Sequence, residues 1–186
     1  MSRYTTAHPA IPSIILYRND YQLFTNAGQF HIFDTVVYKT SHFHYNCESG
    51  GIGSGESEAK NSKIRLENNQ QNMYEVTFEC SFTTNTAENV IVYSQIYKNG
   101  VAVAGSRTYT NCSGAAQSAV NIANVSIHYI LYLEGGDYIQ VKTITNSANA
   151  IQSYTQSPRL MINFIPIRGW DNSKAGRVEY KGRVMR

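Results

Sequence analysis

His42 and His44 stand two residues apart, with Cys47 close behind. In extended backbone, residues i and i+2 share a face, so His-x-His would present two imidazoles to one metal ion. No third and fourth ligands stand near in sequence. The weighted reading is therefore no resident metal, with His42 and His44 kept as the candidate ligands and polar strand residues as the alternative. One histidine per chain around a three-fold axis would supply a three-ligand ring. Glu48, Glu56 and Glu58 bring oxygen ligands of the kind calcium takes, but without the alternating Asp/Asn spacing of a calcium loop. The glycine-rich stretch Gly50–Gly55 precedes no helix whose N-terminus could receive phosphate. No nucleophile elbow, phosphate-cradling loop or zinc-protease motif occurs. These absences predict a protein that is not an enzyme and uses no cofactor.

The elements that would position such residues are strands. In Met73–Phe82, Tyr74, Val76, Phe78, Cys80 and Phe82 fall on one face, and Glu75, Thr77, Glu79 and Ser81 on the other. This period of two describes a strand with one dry and one wet face. The signal recurs in Phe30–Tyr38, His42–Asn46, Lys63–Glu67, Val90–Lys98, Val101–Tyr109, Ala119–Leu133, Tyr138–Ile144 and Leu160–Ile167. Asn99-Gly100 between two apolar runs is a strong hairpin signal, because both turn residues must take positive φ. No window of a dozen residues has a helical period. The expected architecture is all-β, an antiparallel β-sandwich of about eight to ten strands.

The 186 residues suffice for one well-cored domain plus arms. Residues 1–29 read as an N-terminal extended arm, since Pro9 and Pro12 forbid regular helix. Its apolar run Ile14-Ile15-Leu16 would add a strand to a neighbour or pack under the domain. Residues 30–167 form the domain, and residues 168–186 a basic tail. Glu48–Asn61, with four Gly, three Ser and three Glu, reads as a loop, as does Asn146–Asn149.

Charged residues make up only 16% of the chain, against roughly 25% in ordinary globular proteins. Asn, Ser, Thr, Gln and 14 Tyr replace them, a surface that suits broad protein contacts. The formal net charge is +3, and the tail carries all of the excess. Arg168, Lys174, Arg177, Lys181, Arg183 and Arg186 outnumber Asp171 and Glu179, so residues 1–167 are close to neutral. Such a tail meets an acidic protein surface or stays solvated; nucleic acid is the weaker candidate. Trp170, the lone Trp, would anchor it or pack on its own domain. Three cysteines at irregular spacing are neither a disulfide framework nor a zinc pattern, and they point to a reducing site of synthesis. No membrane span or targeting segment is expected, because the Ile14–Leu16 run is short, with Pro9 and Pro12 ahead of it and Asp20 closing it.

Tyr74-Glu75-Val76-Thr77-Phe78, then Ile96-Tyr97-Lys98-Asn99-Gly100-Val101, then Tyr132–Val141 with its Gly136-Asp137 turn, and a closing apolar strand at Leu160–Ile167 follow a familiar order. Across residues 30–167 this resembles the globular heads of the complement and tumour-necrosis-factor superfamily. The resemblance implies a ten-stranded jelly roll that assembles as a homotrimer, with aromatic residues of one sheet face around the three-fold axis. No collagen-like stalk or secretion signal accompanies it, and the last 19 residues have no family counterpart. Similar heads in bacteriophage and other virion proteins serve as capsid decoration, cement or head-fibre proteins. The function expected is thus a structural virion protein, made in the host cytoplasm and placed on the capsid surface. Its expected partners are itself and the capsid protein, with Ile14, Ile15, Leu16, Arg168, Trp170, Lys174, Arg177, Lys181, Arg183 and Arg186 as docking residues. The alternative is a head module whose loops Glu48–Asn61 and Asn146–Ser157 bind a host receptor or glycan.

Overall fold

A computed structural model describes residues 11–45, 62–67, 71–84, 89–113, 122–148 and 151–165. At its centre lies β7 (Asn72–Thr83), whose alternate residues Tyr74, Val76, Phe78, Cys80 and Phe82 are all buried. It pairs along its whole length with β11 (Ile122–Leu133), from Asn72 opposite Leu133 to Thr83 opposite Ile122. On its other flank it pairs with β14 (Arg159–Phe164) and β13 (Ile151–Ser153). Beyond β14 come β1 (Ser13–Tyr17) and β4 (Thr35–Lys39), while β2 (Leu23–Phe24) pairs with β13.

The second sheet is built on β8 (Val90–Lys98) and β12 (Tyr138–Thr145), which are neighbours. Outside β8 lie β9 (Val101–Ala102) and β10 (Thr108–Cys112). Outside β12 lie β3 (Gln29–Phe30) and β6 (Ile64–Leu66), and β5 (Phe43–His44) pairs with β6. All of these pairs are antiparallel, and the described residues contain no helix. Among the described residues ten of the fourteen strand segments have three or more residues, matching the strand number read from periodicity. The inner faces of the two sheets meet in one core, in which Phe24, Phe33, Phe43, Tyr74, Phe78 and Phe82 are the largest side chains fully removed from water.

Three boundaries differ from the sequence reading. The segment read as an arm joins the sandwich from Ser13 onward, because β1 finds a partner strand on each side. Pro12 stands just ahead of β1, where its missing N–H costs nothing, and its carbonyl accepts the Phe164 N–H at 2.9 Å. The extended run 30–38 is two strands in different sheets, since the chain crosses between sheets at residues 31–34. The return strand after Asn99-Gly100 is likewise split into β9 and β10, at a turn where Gly105 has φ of 77°. Asn99 and Gly100 themselves take φ of 52° and 80°, the left-handed pair expected there.

Candidate interaction surfaces

Residues that carried the family resemblance come together at one end of the sandwich. Asp137 Oδ2 lies 2.7 Å from Lys98 Nζ and accepts the Glu134 N–H at 2.8 Å. Asn99 Nδ2 donates to Asp137 Oδ1 at 2.6 Å, and the Tyr138 N–H donates to Asn99 Oδ1 at 2.9 Å. Partial burial pushes the Asp137 carboxyl up, but the Glu134, Lys98 and Asn99 donors and the Lys98 charge outweigh that and hold it below its usual value. The two motifs are thus a single clamp that joins the β8–β9 hairpin to the β11–β12 turn.

Of the docking residues expected at the N-terminus, Ile14 and Leu16 are fully buried and form part of the core. A partner could reach them only by dismantling the sandwich, which removes both from any docking surface. Ile15, with the opposite parity, lies on the outer face of the first sheet. Arg168, Trp170, Lys174, Arg177, Lys181, Arg183 and Arg186 lie outside the described residues. So do Cys47 and the loop Glu48–Asn61. The second loop named for receptor or glycan contact, Asn146–Ser157, contains β13 and so is partly sheet.

The two histidines do not form a common strand face. His42 sits in the turn before β5, with Nδ1 3.2 Å from Thr40 Oγ1, while His44 is exposed opposite Arg65. Among the described residues no group of three or more His, Cys, Asp or Glu is placed to hold a metal ion.

Strand register defines what the first sheet presents outward. His128 pairs with Thr77, Thr77 with Met161, Met161 with Ile15, and Ile15 with Tyr38, giving one row across five strands. Beside it run Ile130–Glu75–Asn163–Ser13 and, further along, Tyr132–Met73. Ile130 is 54% exposed, Tyr38 48% and Tyr132 44%. Glu75 and His128 pair across these rows. The face is therefore broad, half-apolar and sparsely charged.

The second sheet presents a different chemistry. Outward from β8, β10 and β12 the register aligns Tyr109, Tyr93 and Ile144. The Arg107 guanidinium lies 4.3 Å from the Tyr93 ring centre, and the Tyr93 and Tyr109 rings are 6.2 Å apart. Lys142 Nζ lies 5.5 Å from the ring centre of Phe30, whose ring meets Tyr97 edge-on at 5.4 Å. Lys63 Nζ lies 4.8 Å over Tyr138. The sequence reading missed this surface, although outward parity on β8 and β12 already selected Tyr93, Tyr97 and Lys142.

No protein-family model and no curated protein sequence matches this chain. Solved structures do. Murine APRIL in crystals at pH 5.0 is similar with a TM-score of 0.50 and 13% identity, covering 84% of this chain and 100% of that one. The pH 8.5 crystal structure of murine APRIL gives a TM-score of 0.51 with the same identity and coverage. At such identity the likeness establishes the fold, a tumour-necrosis-factor-like jelly roll, and nothing about function.

Proposed function

We propose that the chain is a structural protein of a virion, a homotrimeric jelly roll that sits on the capsid surface as a decoration, cement or head-fibre protein. The observation that carries the self-association is the outer face of the first sheet. Its row His128–Thr77–Met161–Ile15–Tyr38, flanked by Ile130 and Tyr132, offers apolar area interleaved with few charges. Such a face gains by being covered. The family resemblance supports a trimer as the form of that cover. The basic residues after Ile167 supply capsid contacts of opposite charge, and the work is adhesion rather than turnover.

Light scattering tests the first part. About three times the 20.9 kDa chain mass is expected, and a monomer at micromolar concentration removes the assembly argument. Removal of residues 169–186 tests the second. A folded trimer that no longer docks on capsids is expected, and unchanged docking excludes the tail as the anchor.

A further inference from the structure

We propose that the outer face of the second sheet binds a linear polysaccharide bearing carboxylate groups. The inference does not depend on the trimer, because this face lies on the opposite side of the sandwich from the proposed assembly surface.

No Asp or Glu occurs in any strand of this sheet: β3, β5, β6, β8, β9, β10 and β12 are all free of carboxylates. The first sheet carries Glu75 and Glu79 on β7 alone. Arg65 and Lys142 stand on these strands and Lys63 and Arg107 beside them, as do Glu67 next to β6 and Asp137 next to β12, the latter paired with Lys98. None of the four cations makes an ion pair among the described residues, where the pairs are Lys98–Asp137 and His128–Glu75. Four cations without an ion pair among the described residues, on or beside strands that carry no carboxylate, call for an anionic partner.

Arg107, Lys142 and Lys63 each rest against an aromatic ring, within 4.3 to 5.5 Å of its centre. Such contacts are favourable even at exposed sites and restrict side chains that would otherwise sample many rotamers. A stacked guanidinium still offers its N–H edges, and two parallel N–H groups match a planar carboxylate.

The cations run across the sheet from Arg107 at β10, through Lys142 on β12, to Arg65 on β6. Three interstrand spacings of ~4.8 Å, together with the four residues along β12 that separate Lys142 from Tyr138, the partner of Arg65, make this an oblique line of roughly 20 Å. A flat line of separated charges suits an extended polymer better than a small anion. Tyr109, 72% exposed, is free to take the C–H face of a sugar ring. Stacking of successive nucleic-acid bases needs several bare ring faces, and here cations cover Tyr93, Phe30 and Tyr138. A protein partner needs a continuous apolar centre, and here cations interrupt the rings. The glycan-binding alternative thereby moves from the loops to a sheet face.

The test is calorimetric titration of the full chain with an oligogalacturonate of about ten residues, beside four controls. These are its fully methyl-esterified form, a sulfated oligosaccharide of equal length, an oligo-dT strand and a poly-Glu peptide. Binding of the oligogalacturonate is expected, at least tenfold weaker for the methyl ester and weakened by added salt. Arg107→Ala combined with Lys142→Ala should reduce affinity at least tenfold with an unchanged far-UV spectrum. Tyr109→Ala should weaken binding while leaving its salt dependence as it was. Absence of binding overturns the proposal, as does equal affinity in the double variant. Tighter binding of the sulfated sugar, the DNA or the peptide overturns the assignment to a carboxylated polysaccharide.

Discussion

His31 Nε2 lies 2.7 Å from Thr143 Oγ1 in the middle of the sandwich, and Thr143 Oγ1 lies 2.7 Å from Ser94 Oγ. The imidazole is fully buried, with the Phe24 and Phe78 rings each 4.6 Å away, centre to centre. Its Nδ1 has no hydrogen-bond partner among the described residues. His31 enters the core where the chain passes from β3 to β4, its backbone N–H donating to the Val141 carbonyl at 2.8 Å.

Burial in this apolar shell, aided by the charge of Arg18, pushes the His31 pKa down to about 3. The folded state then refuses a proton that the unfolded chain accepts near 6.5. The unfolded state binds more protons throughout that interval, so stability rises with pH there. Stability is complete above about pH 6.5 and is lost progressively as pH falls toward 3. Between pH 7.5 and 4.5 the loss from this group is about 2–3 kcal/mol. Urea unfolding of wild type and His31→Gln at both pH values checks it. The variant should be less stable at neutral pH yet show a much flatter pH dependence, and parallel slopes would exclude His31 as the source.

Ile14 and Ile15 are adjacent yet face opposite sides of the first sheet, which separates folding from assembly. Ile15→Glu places a charge in the middle of the Tyr38–Ile15–Met161 row and should turn a trimer into a monomer with an unchanged far-UV spectrum. Ile14→Glu places it in the core, at a cost of about 4 kcal/mol or more, and should leave little folded protein. Sedimentation velocity and circular dichroism on the pair decide it. A trimeric Ile15→Glu variant would show that assembly uses another surface.

Gly28 has φ of 72° in the turn leading into β3. A Cβ there would stand 2.6 Å from Ile144 Cγ1 and 2.8 Å from Lys142 Cε. Gly28→Ala is strained by its backbone and by contact, so a loss of about 1–3 kcal/mol is expected. The same clash displaces Lys142 from Phe30, so the variant should also bind the acidic oligosaccharide more weakly. Thermal melts and the titration described above read the two effects, and a wild-type melting temperature would show that the turn relaxes freely.

Much of the fold was legible because one buried face per strand leaves a period of two. Val90–Lys98 was delimited to the residue, β7 was recovered with its inward set, and the runs that became β11 and β12 were located. Periodicity does not say which sheet a strand joins, so the crossover at residues 31–34 stayed hidden inside one extended run. β1 was read as an arm because its five residues acquire their meaning from Leu160 and Ile162 on β14, far along the chain. His31 looked like any polar strand residue, since the rings that bury it come from β2 and β7. The Arg107–Tyr93 contact depends on the register that sets Tyr109 opposite Tyr93, which spacing alone does not supply. The basic tail, on which the docking reading leaned most, lies outside the described residues.

The sulfur chemistry makes the last prediction. Cys80 and Cys112 are both buried and unpaired with each other. Burial pushes the Cys80 thiol well above its usual range, only partly offset by the Ser157 hydroxyl, whose Oγ lies 3.8 Å from Sγ. Burial likewise raises Cys112, whose Sγ lies 3.6 Å from the Phe82 carbonyl oxygen. Thiolate is the reactive form, and both groups lack it as well as solvent access. In a Cys47→Ser background the folded protein should therefore resist a thiol-specific reagent at pH 8 for hours. Two thiols per chain should react within minutes once denaturant is added. Fast labelling without denaturant would mean that β7 or β10 opens readily, and a two-sheet core sealed on both sides of β7 would then be the wrong description of this sandwich.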